Sequence, residues 1–102
     1  MRKPTIQIFA YGTLLEAAVQ DRIIGRRVAG RADSLNGYRE TLVTIEGSSY
    51  PNIAPDKQGK VRGQVFEITE KELERIDAYE TDAYHRFQAR LASGAEAWVW
   101  QA

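Results

Sequence analysis

No cysteine occurs among the 102 residues. That removes disulfides, thiolate nucleophiles and zinc–thiolate centres. Histidine is nearly absent as well. His85 stands alone, so a Ser–His pair or a multi-histidine metal site is hard to assemble within one chain. Neither sign of charge is in excess, because fourteen Lys and Arg balance fourteen Asp and Glu. No global field draws in nucleic acid or an anionic membrane. Arg26, Arg27 and Arg31 cluster, but Asp21 and Asp33 flank them, which reads as a solvated surface. No apolar run approaches the length needed to span a bilayer. The opening MRKPTIQIFAYG has too short an apolar stretch for a secretory leader. A cytoplasmic protein that engages neither nucleic acid nor membrane is the expectation.

What remains is ordinary for a globular protein. The chain is 43% hydrophobic and 27% charged, which fits a folded domain. Its length predicts one domain over residues 1–102. Alternation and β-branched content predict a strand at residues 6–11 (IQIFAY), broken by Gly12. A short amphipathic helix follows over 14–24, stopped by Gly25. Two extended runs, 28–35 and 38–45, flank Asn36-Gly37, a strong hairpin signal because both residues tolerate positive φ. Residues 46–60 are turn-rich and predict loops around a short extended piece near 52–54. A strand is expected over 60–68, where Gly63 marks a bulge or a close backbone approach. Thr69 with Glu72 three residues on forms a capping box for a helix to about Tyr79. Strands over 84–91 and 96–100 close the chain. Hairpins dominate, which predicts an α+β domain on a closed or nearly closed sheet. Trp98 and Trp100 alternate with Val99 and read as sheet packing.

One residue on the second helix stands out. On a wheel of roughly 100° per residue, Glu80 falls between Ile76 and Leu73, inside the apolar stripe. Desolvation, the like charge of Asp77 and the negative pole of the helix would all raise its pKa. Such a carboxyl can exchange a proton near neutral pH. The alternative is a helix that frays before Glu80, leaving it in water. The wheel alone does not choose between them.

A second stretch is AYGTLLEAA, residues 10–18, where a strand ends at Gly12 and a helix begins. Backbone N–H groups at a helix start attract carboxylate or phosphate. Many such junctions bind nothing, and Gly12 can equally serve only the turn.

Together the two stretches resemble the gamma-glutamylcyclotransferase-like family. Tyr11-Gly12-Thr13-Leu14 is similar to that family's signature after its first strand. GQVFEITEKELERIDAYETDAYHR is similar to its later pattern, falling here on Gly63, Asp77, Glu80, Tyr84 and Arg86. Tyr50-Pro51 resembles its Tyr-Pro segment. The chain departs from the pattern at Leu15, where a basic residue is frequent, and at Thr81, where glycine is frequent. The resemblance implies a small mixed β-barrel with flanking short helices. It implies a cofactor-independent, metal-free cyclisation of a gamma-glutamyl amide to 5-oxoproline with release of an amine. Glu80 would be general base and then general acid. Tyr11, Gly12, Thr13 and Leu14 would hold the substrate carboxylate, with Tyr84 and Arg86 as further substrate-binding candidates. Arg86 is as readily a surface partner of Asp82. The expected partner is a small gamma-glutamyl or related amino-acid amide, and the expected state a monomer or weak homodimer. The departures leave room for a non-catalytic small-molecule binding or interaction module on the same barrel.

Overall fold

The computed structural model describes residues 5–102. Five strands and two α-helices follow one another as β1 (Ile6–Ala10), α1 (Ala17–Ile23), β2 (Arg31–Ile45), β3 (Ser48–Ile68), α2 (Glu70–Glu80), β4 (His85–Arg90) and β5 (Glu96–Gln101). A 3-10 turn, Thr13–Leu15, lies between β1 and α1. The sheet order is β2-β3-β1-β5-β4. β1 runs antiparallel to β3 and parallel to β5, so the sheet is mixed.

The sheet curls. β2 and β4 are its two edges, yet Tyr38 on β2 and Phe87 on β4 stack with ring centroids 5.7 Å apart. Ala92 N donates to Ser34 O at 2.8 Å, and the Gln101 amide donates to Ile53 O at 3.1 Å. The result is an α+β half-barrel, as the hairpin-rich order predicts. Strand alternation then divides the core. Ile8 and Ala10 face one cluster, with Leu14, Ile24, Phe66, Ile68, Leu73, Ile76 and Trp100. Phe9 faces the other, inside the curl, with Leu35, Ile53, Val61, Val65 and Val99.

The predicted capping box is present. Thr69 accepts from Glu72 N at 3.2 Å and the Glu72 carboxylate accepts from Thr69 N at 2.8 Å. Gly63 makes the close approach expected of it, since a Cβ there would lie 2.3 Å from Ala10 O.

The expected Asn36-Gly37 hairpin does not form. β2 runs straight through, and Gly37 (φ +88°) lies at a register shift. Asn36 pairs with Lys60 and Tyr38 with Pro55, so Gly37 alone faces Asp56 to Gly59. The positive φ that a turn would use serves a bulge instead. The chain reverses at Glu46 (φ 49°) and Gly47 (φ 84°), between the paired residues Ile45 and Ser48. Both φ values are positive, as a two-residue hairpin connection favours. Residues 48–59, expected to be mostly loop, are the first half of a 21-residue strand.

Candidate functional site

β1 carries the chain to one end of the half-barrel, where the Tyr11–Leu14 loop turns off the sheet. The loop is pinned from three sides. The Tyr11 hydroxyl donates to Trp100 O at 2.6 Å. Thr13 Oγ1 and Tyr79 Oη share a 2.7 Å hydrogen bond. The buried Gln20 amide donates to Leu14 O at 2.8 Å, while its carbonyl accepts from Val28 N at 3.0 Å. The turn bond from Leu15 N uses Gly12 O. The opening amides of a helical turn have no acceptor within that turn. Gly12 backs onto the β2–β3 hairpin, and a Cβ there would sit 3.4 Å from Pro51 Cβ.

Helix α2 approaches from the other side. Leu73 and Ile76 are buried beneath it. The helix continues through Glu80 and does not fray before it. Glu80 is half-buried and faces the loop across a cavity of about 410 Å³. Tyr11, Gly12, Thr13, Leu14, Glu80 and Tyr84 all line this cavity, together with the hairpin residues Ile45, Glu46, Tyr50 and Pro51. Its volume is on the scale of small-ligand sites, about 300–1,000 Å³. Burial, followed by the nearby charge of Asp77, pushes the Glu80 carboxyl up to about 7. Burial, with Tyr84 and then Glu80 adding, also raises the Tyr11 phenol. The Tyr84 phenol is raised by burial and then by Glu80, and it donates to Pro51 O at 2.6 Å.

Arg86 is not in the lining. It turns to Asp77, with Nε 3.0 Å and 3.1 Å from the two carboxylate oxygens, and its guanidinium lies 4.4 Å from the Trp98 ring centroid. Asp77 also accepts from Trp100 Nε1 at 3.1 Å. So Arg86 pairs with Asp77 rather than Asp82, and it stands behind the wall. Phe9, Tyr79 and Trp100 line the cavity without having been singled out as site residues. Tyr79 directly precedes Glu80, and that adjacency was the available signal. Glu46 had none, because its place depends on the unexpected turn. Among the described residues no group of three or more His, Asp or Glu is arranged to hold a metal ion. No helix there is long and apolar enough to cross a membrane.

A profile of the family described as "Gamma-glutamyl cyclotransferase, AIG2-like" matches residues 8–102. The chain belongs to this family. An AIG2-like protein C of Arabidopsis thaliana is 34% identical over 85 residues, covering 82% of this chain and 48% of the relative. The chain spans about half the length of the curated relatives it matches. A solved structure described as a gamma-glutamyl cyclotransferase superposes with a TM-score of 0.81 at 15% identity, covering 96% of this chain and 66% of that one. An AIG2-like protein of Mus musculus gives 0.71 at 20% identity, over 96% and 77%. At these identities the two structures share the gamma-glutamyl cyclotransferase-like fold.

Proposed function

We propose that the chain cyclises a gamma-glutamyl amide to 5-oxoproline and releases an amine, with Glu80 moving the protons. The observation that carries this reading is the meeting of Glu80 and the Tyr11–Leu14 loop around one cavity. The substrate brings its own nucleophile, the α-amino group, which is protonated at neutral pH. Glu80 accepts the ammonium proton. The freed amine attacks the side-chain carbonyl and closes a five-membered ring. Glu80 returns the proton to the departing nitrogen as its C–N bond breaks. A second proton follows the same route, so the amine leaves as an ammonium ion.

A carboxyl pushed up to about 7 suits both halves of this cycle. The amides of the Tyr11–Leu14 loop hold the substrate α-carboxylate and freeze the chain in its cyclising conformer. Orientation of this kind contributes ~7–11 kcal/mol at best. The phenols of Tyr11 and Tyr84 stay neutral and fix the walls through Trp100 O and Pro51 O.

Incubation with a panel of gamma-glutamyl amides and an assay for 5-oxoproline tests the reading. Glu80→Gln should lower kcat/KM by about 10²–10⁴-fold. In the parent protein kcat/KM should rise with pH through an acidic limb near 7, where Glu80 ionises. Absence of turnover across the panel in folded protein sinks it. Leu15 and Thr81, the two departures from the family pattern, support a second reading as a non-catalytic small-molecule module on the same barrel. There Glu80→Gln would leave ligand binding intact.

A further inference from the structure

The β4–β5 register sets Arg86 opposite Trp100, so the two side chains stand together on one face of the sheet. Helix α2 packs on that face, with Leu73 and Ile76 in the same core cluster as Trp100, and brings Asp77 to both. The Arg86 Nε–H reaches the two Asp77 oxygens at 3.0 Å and 3.1 Å, and Trp100 Nε1 donates to Oδ1 at 3.1 Å. The guanidinium lies over the Trp98 ring, 4.4 Å from its centroid, which holds the planar fork in place. The Asp77 backbone carbonyl accepts from Thr81 N at 3.1 Å and closes the last helical turn. Asp77 therefore ties the end of α2 to two strands, and Glu80 lies inside that tied turn. Trp100 carries the tie further, because its carbonyl accepts from the Tyr11 hydroxyl at 2.6 Å. The Arg86 and Asp77 side chains are 30% and 38% exposed. Ion pairs this open to water add little to stability.

On the strength of the cyclisation reading, we propose that Asp77 and Arg86 are a positioning pair behind the cavity wall: Arg86 holds the Asp77 carboxylate against Trp100, and Asp77 anchors the turn that presents Glu80 to the Tyr11–Leu14 loop. Neither residue lines the cavity, so the pair acts on the reaction through Glu80. It also shapes the field there. Around Glu80 the titratable or charged groups are Asp77 and Tyr79 on its own helix, Tyr11 on the loop, Tyr84 beyond the helix, and Glu46 and Tyr50 on the hairpin. No cation stands among them. Burial raises the Glu80 carboxyl and Asp77 raises it further. Arg86, in contact with Asp77 on the side away from the cavity, offsets part of that negative charge. The two members of the pair therefore push Glu80 in opposite directions, and Arg86 does so by way of Asp77.

Asp77→Asn, Arg86→Gln and the double variant test this by two readouts: NMR titration of the Glu80 carboxyl in ligand-free protein, and the acidic limb of kcat/KM against pH. Asp77→Asn should move both midpoints down and Arg86→Gln should move both up, each by about half a pH unit, the scale of a partly exposed pair. The double variant should follow Asp77→Asn, because Arg86 has no charge left to offset. On the alkaline plateau the loss in Arg86→Gln should fall on kcat, with KM nearly unchanged. Should Arg86→Gln not fold, Arg86→Lys keeps the charge without the planar fork and should shift the midpoints the same way by less. Midpoints that coincide with the parent's, shifts that simply add in the double variant, or a loss carried by KM alone overturn the proposal. The NMR arm needs no turnover. If no gamma-glutamyl amide reacts while the midpoints still part in opposite directions, the pair stands and the cyclisation reading alone falls.

Discussion

Glu80 illustrates what a single residue shows in advance. Its place in the apolar stripe of α2 follows from spacing alone, and so does the proximity of Asp77. Whether it reaches a cavity does not, because the opposite wall comes from residues 11–14 and 45–51. Arg86 shows the converse. Its spacing from Glu80 is that of the family pattern, yet β4 turns its side chain onto Asp77 and Trp98.

Thr81, next to Glu80, carries a cost of its own. It ends α2 at φ 61° and ψ −170°, a region adopted almost only by glycine. A side chain held there costs about 1–3 kcal/mol. Thr81→Gly should therefore raise unfolding free energy by about 1 kcal/mol, after the extra chain entropy of glycine is deducted. Urea denaturation at constant m-value measures it. An unchanged or lower midpoint would mean that the contact from Ala83 N to Thr81 Oγ1, at 3.3 Å, outweighs the strain.

Among the elements, α2 was readable because its start is a local device. Thr69 and Glu72 cap each other within three residues, and nothing distant is needed. The β2–β3 hairpin was not readable. Asn36-Gly37 is the better turn by composition, but Lys60 and Pro55 claim the residues on either side of Gly37. Partners 17 to 24 positions away decided the matter: Tyr38 pairs with Pro55, and Asn36 with Lys60. Gly63 was legible as a constraint without its partner being known. Gly63→Ala should destabilise the fold by about 1–3 kcal/mol or more, because the new methyl meets the Ala10 carbonyl of a buried strand. Thermal melts of the two proteins check this. A midpoint within a degree of the parent would show that β1 and β3 separate freely.

For the whole molecule, composition and hairpin signals conveyed the α+β class and the curled sheet, while closure of that sheet came from contacts such as Tyr38 with Phe87. Whole-molecule stability also carries the imprint of two glutamates. The Glu80 carboxyl is raised from 4.5 to about 7, so the folded state holds a proton that the unfolded chain releases. Stability should fall as pH rises from about 4.5 through 7 and then level off. Glu72 works in the opposite sense. Hydrogen bonding from Arg26 holds its carboxyl below the usual range, so its contribution is present above the ordinary carboxylate pKa and is lost as pH falls through the lowered value. Melting temperatures measured across pH for the parent and Glu80→Gln isolate the first effect. The fall between about pH 5 and 8 should shrink in the variant. Parallel curves would place Glu80 in water.

The Tyr11 hydroxyl reaches Trp100 across 89 positions of sequence. The β2–β3 ribbon, by contrast, needs only the Glu46-Gly47 reversal to begin zipping. Short closures form early and long ones late during folding. The ribbon is therefore expected to form before that long closure. The basin between loop and helix is completed only when β5 docks beside β1, so a nascent chain acquires its architecture before it acquires a place to hold a guest.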